Sequence, residues 1–360
     1  MGEIKKFRPD LDSQSIEWIN RLSDWAASQQ KRGFVTRMHQ ALIGSIVLNP
    51  EIMVNAITEI RQVEGGQTKS QDLASFIYPL EASLRLTAMK NPEIWGKPDD
   101  PLSTASWRAV DIINILVNCR SEVVKNAREN TMAKNMPHRA ALVLKILKEV
   151  GLSDKPINLI ELGSSSGLIL TALQNQSKFS TWFRESSVVQ PEIQNQEFMP
   201  LKDIRALGID LNPPSDDWVL ACTDDDKLRT EIQNFMKTFG DERVNVIRGD
   251  ALKITELEPV KQMLTEKDSR RLVIFIGMFL YQLPKEKLES LKRKLSEIIS
   301  DTNGVLIIAD SRWIFDKIPT WNCWAENSEK VISPVLKINE KPLWGWATED
   351  QWPTNLKFLV

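Results

Sequence analysis

Residues 157–174 read Ile157-Asn158-Leu159-Ile160-Glu161-Leu162-Gly163-Ser164-Ser165-Ser166-Gly167-Leu168-Ile169-Leu170-Thr171-Ala172-Leu173-Gln174. A short apolar run is followed by a loop of glycine and serine, and then by a stretch with helical spacing of apolar residues. This is the pattern of a strand, a tight loop and a helix. Gly163 and Gly167 let the main chain come close to a ligand, and a helix start beyond them offers unpaired amides. Ser164, Ser165 and Ser166 are natural helix caps. An ordinary strand-to-helix turn has the same composition, so the run alone does not decide between binding and connection. It does exclude two phosphate-binding loops. There is no Gly-Lys-Ser/Thr ending, and Ser165 stands where the second glycine of G-x-G-x-x-G belongs. Glu161, ahead of the first glycine, suits a ligand with a positive or amino group better than a pyrophosphate.

Strand and helix signals alternate downstream of Pro156. Arg205–Leu211, Val244–Arg248, Leu272–Phe279 and Val305–Ala309 are strand candidates, and Val331–Ile338 and Asn355–Val360 are two more. Leu272–Phe279 is apolar throughout, as expected for a strand buried on both faces. Pro284 opens an amphipathic helix through Leu288, Leu291, Leu295 and Ile298. Such alternation predicts a doubly wound parallel sheet over residues 151–360. The segment Asn175–Asp203 is polar and poorly periodic, and reads as an insertion. Upstream, Ile16–Ala27, Arg37–Leu48, Glu51–Gln62, Leu73–Met89 and Trp107–Asn126 show helical spacing, and a further helix spans His138–Val150 before Gly151. Residues 1–150 are thus expected to form a helical N-terminal domain that caps the site or shapes the substrate pocket.

Composition narrows the function. The chain has 360 residues, 42% of them apolar and 26% charged, with a net charge of -2. A near-neutral total removes the electrostatic basis for a general nucleic-acid binder. No apolar stretch exceeds about ten residues, whereas a membrane-spanning helix needs about 20. The opening Met-Gly-Glu-Ile-Lys-Lys-Phe has no apolar core behind its charges, so no secretion signal is expected. Cys119, Cys222 and Cys323 have neither metal-ligand nor disulfide spacing, and a cytoplasmic location is expected. His39 and His138 are the two histidines, far apart and outside any zinc or Ser-His-Asp motif, so no metal is expected.

Two more acids fall where this kind of fold binds a nucleoside. Asp210 ends a strand candidate in Gly208-Ile209-Asp210-Leu211-Asn212-Pro213, where a carboxylate can take both ribose hydroxyls. Asp250 follows the next, in Arg248-Gly249-Asp250-Ala251, where an acceptor can meet an adenine amino group. Either alone is equally a turn or cap residue. Glu161, Asp210 and Asp250 in strand order together point to adenosine.

On these residues the chain resembles the class I S-adenosylmethionine-dependent methyltransferases: Glu161-Leu162-Gly163-x-Ser165-x-Gly167, Asp210 and Gly249-Asp250. More narrowly, it is similar to a bacterial domain-of-unknown-function family with T-N-E-x-x-R, E-L-G-x-S-x-G-L and G-x-D-L-N-P motifs. These stand here as Asn135-Met136-Pro137-His138-Arg139, Glu161–Leu168 and Gly208–Pro213, with Met136 where the pattern has an acid. The resemblance covers roughly residues 131–310. It implies a Rossmann-like α/β sheet of seven strands with the last reversed, and S-adenosylmethionine as methyl donor or sole substrate. In the site so implied, Glu161, Gly163, Ser165, Gly167, Asp210 and Asp250 hold the cofactor. Arg139 holds its methionine carboxylate, with Asn135 helping.

Tyr281, just past the fourth strand candidate, is placed where methyltransferases carry acceptor-facing groups, and Tyr281 and Asn135 are the candidate catalytic residues. Six of the twelve tryptophans (Trp313, Trp321, Trp324, Trp344, Trp346, Trp352) fall in the last 48 residues. Aromatic faces stabilise cations such as a sulfonium, although aromatics there more commonly seal a sheet edge or a core. Asp216-Asp217 and Asp224-Asp225-Asp226 read as solvated turn and helix-start residues.

The expected function is methyl transfer from S-adenosylmethionine to a small molecule, a displacement governed by positioning and desolvation and therefore compatible with a chain poor in histidine. The Asn/Asp-Pro-Pro-Tyr motif of DNA amino-methylation is missing after the fourth strand candidate. The alternative is a lyase or cyclase in which the cofactor's own amine closes azetidine-2-carboxylate and methylthioadenosine leaves. A third reading is a binding protein that kept the fold and lost the chemistry.

Overall fold

The computed structural model describes residues 12–30, 37–61, 74–133, 136–149, 151–188, 201–265, 269–277, 279–280, 283–310, 322–326, 331–332, 337–338, 341–342 and 358–359. Helices α1 (Ser13–Gln30), α2 (Arg37–Leu48), α3 (Pro50–Arg61), α4 (Ala74–Lys90), α5 (Pro92–Trp95) and α6 (Ala109–Glu129) come first. A 3-10 turn, Pro137–Arg139, leads into α7 (Ala140–Glu149). There follow β1 (Pro156–Leu162), α8 (Leu168–Gln174), α9 (Gln176–Glu185), β2 (Asp203–Asp210), α10 (Asp216–Ala221), α11 (Asp226–Phe239), β3 (Val246–Arg248), α12 (Glu258–Thr265), β4 (Arg271–Gly277), α13 (Lys285–Thr302), β5 (Val305–Asp310) and β6 (Asn322–Glu326).

The chain divides into two units, Met1–Lys134 with Pro214–Thr230, and Asn135–Pro213 with Glu231–Val360. This corrects the expected boundary at residue 150 in two places. Helix α7, with Ala141, Leu144 and Leu147 buried, belongs to the second unit, where it packs on α8. The segment Pro214–Thr230, which lies inside the sheet domain in sequence, belongs to the helical unit. Nothing in its composition marks that, because the cause is a pair of buried arginines. Arg229 donates to Leu102 O at 2.8 Å and to Asp100 Oδ2 at 2.9 Å, and Arg85 donates to Thr223 O at 3.2 Å. The rest of the helical unit is held by an apolar core that includes Ile46, Met53, Ile57, Phe76, Leu84, Ile112 and Ile115.

The second unit is an α/β layer structure. Its sheet has the order β3-β2-β1-β4-β5-β6, with β1 to β5 parallel and β6 antiparallel to β5. Five of the seven residues of β4 are buried, as its continuous apolar run predicts. Ile160, Leu162, Ile209, Ile274 and Ile276 pack with Leu291 and Leu295 of α13 in one core. Phe179, Trp182 and Phe183 of α9 form an aromatic cluster with Phe235 and Phe239 of α11. Helix α9 lies in the stretch that reads as a polar, poorly periodic insertion. Its three aromatics at helical spacing are spread among Ser, Lys, Thr and Gln, which dilutes the periodic signal.

The late strands differ from expectation. Val331–Ile332 pairs with Phe358–Leu359, and Lys337–Ile338 with Lys341–Pro342, in two separate two-stranded sheets. The reversed strand is instead β6, Asn322–Glu326, whose Asn-Cys-Trp-Ala-Glu carries no alternation and which takes its register from β5. The main sheet has six strands among the described residues, against the seven implied. Trp313, Trp321, Trp344, Trp346 and Trp352 lie outside the described residues. No single helix among the described residues is long and apolar enough to cross a membrane.

Candidate functional site

The strand order reverses between β1 and β4, and a parallel sheet opens a crevice at such a point, outside the carboxyl ends of its strands. The loops leaving β1, β2 and β3 meet there and are stitched together at the end of β2. Ile209 O accepts from the amides of Gly163 (2.9 Å) and Ser164 (3.2 Å), and Asp210 O accepts from Gly249 N (2.9 Å). The Asp210 carboxylate completes the set. Oδ2 accepts from Ser165 N at 2.8 Å and Oδ1 from Asn212 N at 2.9 Å.

Local sequence explains the β1–α8 loop. Gly163 and Gly167 have φ of 71° and 74°, where a side chain is strained. A Cβ on Gly163 would also come within 2.7 Å of Phe279, so only glycine lets this loop pack against the chain leaving β4. Ser165 adopts φ 53° without being glycine, a conformation that costs about 1–2 kcal/mol. Its amide is held there by Asp210. Arg243 secures the far side of the loop, donating from Nη2 to Ser166 O at 3.0 Å. Helix α8 has seven residues, and its first residues Leu168–Leu170 are buried.

Glu161 is the unusual group. It lies near the end of β1, 1% exposed, and its Oε2 has no hydrogen-bond partner among the described residues. Burial pushes its carboxyl well above the usual carboxylate range. The Arg139 guanidinium works against that rise and the Asp210 charge adds to it. Burial also raises the Asp210 carboxyl, opposed by the N–H groups of Asn212 and Ser165. The side-chain oxygens of Ser165 and Ser166 are buried and likewise unpartnered among the described residues. A carboxylate offers about four acceptor positions, and Asp210 spends two on the main chain, so acceptor capacity remains.

The structure therefore brings together Glu161, Gly163, Ser165, Gly167, Asp210 and Arg139. Arg139 arrives differently from expectation. Pro137 opens a 3-10 turn that Arg139 closes, and the α-helix starts only at Ala140. Asp250 has a capping role: its side chain accepts from Leu252 N at 2.9 Å and begins the 3-10 segment Ala251–Glu256. Asn135 and Tyr281 lie outside the described residues. Asp216 and Asp226 are the first residues of α10 and α11, the helix-start role expected of them.

Sequence reasoning placed Leu211 in a strand. The strand ends at Asp210, and Leu211 is 67% exposed directly beside that carboxylate. Its signal in the sequence is an apolar residue leaving a strand just ahead of Asn-Pro-Pro. His138 lies in the same 3-10 turn as Arg139. It is fully buried, with Nε2 3.1 Å from Ser186 Oγ.

Taken together, the crevice offers a buried acid, a buried cation, a second acid with free acceptor positions, and an adjacent exposed apolar side chain. No curated protein matches the chain. The family model described as "Uncharacterized protein conserved in bacteria (DUF2332)" matches residues 95–329, well over half of the chain, and the protein belongs to that family.

Proposed function

We propose that the protein is an S-adenosylmethionine-dependent enzyme acting on a small molecule, and that its reaction is methyl transfer. The observation that carries this reading is the set of buried Glu161 near the end of β1, buried Arg139 in the turn before α7 and half-buried Asp210 at the end of β2, with Glu161 Oε2 left unpartnered among the described residues. Two acids and one cation match a ligand that is an amino acid at one end and a nucleoside at the other. The sheet order 3-2-1-4-5 followed by an antiparallel strand supports a class I methyltransferase assignment.

S-adenosylmethionine, when bound, supplies an activated methyl group on a sulfonium cation. Glu161 meets the ammonium of its amino-acid end with Oε2, and Arg139 meets the carboxylate. Asp210 takes the ribose hydroxyls with its remaining acceptor positions, while Leu211 covers the base. The two buried serine hydroxyls, Ser165 and Ser166, line the loop between these ends. Asp250, already committed to Leu252 N through Oδ1, offers Oδ2 to the base. Tyr281 and Asn135 remain the candidate catalytic residues by sequence position alone, Tyr281 four residues after the end of β4. Burial excludes water from Glu161 and strengthens each of these contacts.

One observation favours a second reading, ring closure to azetidine-2-carboxylate with release of methylthioadenosine. The buried Oε2 of Glu161, unpartnered among the described residues, is an acceptor on a carboxyl whose proton affinity burial raises, and its ionised form can take a proton from an ammonium. Glu161 would then take the proton that the amine must lose before it can attack.

The test begins with S-adenosylmethionine as sole ligand. Calorimetric titration of the full chain is expected to show binding that Asp210→Ala and Glu161→Gln abolish while both variants remain folded. Mass spectrometry of the incubation then separates the chemistries. Methylthioadenosine with a new acid of about 101 Da, the mass of the ring product of internal attack, establishes ring closure and removes methyl transfer. Bound but unchanged S-adenosylmethionine supports methyl transfer. Absence of binding by the unaltered protein overturns both.

A further inference from the structure

Arg139 is presented by a 3-10 turn of three residues, Pro137–Arg139. The turn runs directly into α7, so the helix holds its end and its start needs a second anchor. The neighbouring side chain supplies the anchor. His138 is completely buried, its ring lies 4.5 Å from that of Trp182 in α9, and its Nε2 is 3.1 Å from Ser186 Oγ, just past the end of α9. Ser186 Oγ is itself placed by Val188 N, which donates to it at 3.4 Å. Both partners of the ring belong to the segment inserted between β1 and β2, and neither touches Glu161 in any contact described.

We propose that His138 is a positioning residue for Arg139, and that the segment inserted between β1 and β2 thereby sets the affinity for the carboxylate end of the ligand. This rests on the site reading given above. Successive residues of a tight turn project their side chains in different directions, so gripping the His138 ring from α9 fixes where the Arg139 guanidinium can go. Burial takes the His138 ring down to about 3, so it is neutral at physiological pH. A charged ring would set a second cation beside Arg139.

The experiment compares two ligands on the full chain by calorimetry: S-adenosylhomocysteine, which carries the amino-acid end, and methylthioadenosine, which lacks it. His138→Phe keeps the ring and removes the hydrogen bond. It should weaken S-adenosylhomocysteine roughly tenfold or more while leaving methylthioadenosine within about twofold, since a misplaced charged contact costs about that much. His138→Gln, which can still bond Ser186, should restore most of the loss. Ser186→Ala should reproduce the His138→Phe pattern, and serves if the latter does not fold. Combined with Arg139→Gln, His138→Phe should add little, because both act through one contact. Equal weakening of both ligands, or additive losses with Arg139→Gln, overturns the inference and leaves the site reading standing. Failure of the unaltered protein to bind either ligand overturns the site reading and this inference with it.

Discussion

Replacing Glu161 by Gln should make the free protein more stable while destroying its ligand site. The two side chains have nearly the same shape, so the change mainly removes a charge from a position 1% exposed. The influences on that charge are burial, which disfavours it most, the Arg139 cation, which favours it, and Asp210, which disfavours it. Their sum raises the carboxyl, so the surroundings oppose the charged form even after Arg139 is counted. Relief of one poorly satisfied buried charged group is worth about 1–3 kcal/mol. For a unit of roughly this size each kcal/mol moves the transition by about 2–4 °C.

The sign of the pH dependence follows. A carboxyl whose affinity for its proton is higher in the folded than in the unfolded chain makes the native state bind more protons. Stability therefore falls as pH rises from the ordinary value of 4.5 through the higher folded one. Below 4.5 both states are protonated and the wild-type and Gln curves should converge. Above the folded value they should lie furthest apart, with Gln the more stable. His138 contributes an opposite slope, because its pKa falls from 6.5 to about 3 on folding and stability is lost as pH drops through that window. That slope is common to both proteins and cancels in the difference. Thermal unfolding from pH 4 to pH 9, with hydrogen exchange at the β1 amides to assign the transition, is the assay. A Gln variant less stable at alkaline pH, or a gap that does not change with pH, would refute the reasoning and make the Arg139 attraction the larger effect.

Asp210→Asn should cost about 1–2 kcal/mol, since an amide can accept from only one of the Ser165 and Asn212 amides and turns a donor toward the other. Faster hydrogen exchange at Ser165 is the specific readout, and unchanged exchange would contradict it. Ser165→Gly should be neutral to about 1 kcal/mol stabilising, because relief of the left-handed strain exceeds the added backbone entropy of glycine. Ser165→Val should cost at least as much as glycine gains, and equal unfolding midpoints for the two would refute the strain argument. Arg229→Met should destabilise the helical unit by about 2–3 kcal/mol and expose Pro214–Thr230 to limited proteolysis, because the side chain is 5% exposed and ties that segment to Leu102 O and Asp100. An unchanged digestion pattern would show that apolar packing of α10 suffices.

Much of the architecture was written in local pattern. The helix Arg37–Leu48, the strand-loop-helix from Pro156 to Gln174 and the doubly buried β4 follow from periodicity and apolar runs, which depend only on near neighbours. The glycines at 163 and 167 and the acid ending β2 were legible for the same reason: each answers a local demand of turn geometry or strand end. Tertiary structure decided what depends on distant partners. Strand β6 exists because β5 offers it a register, and α9 because its aromatics meet Phe235. Pro214–Thr230 changes units because Arg85 and Arg229 seek carbonyls far away in the chain. In the same way, Glu161 was a visible acid in the sequence, but only packing strips it of water and sets the Arg139 charge near it. Burial and pairing are properties of what surrounds a residue, and so they belong to the fold rather than to any stretch of the sequence.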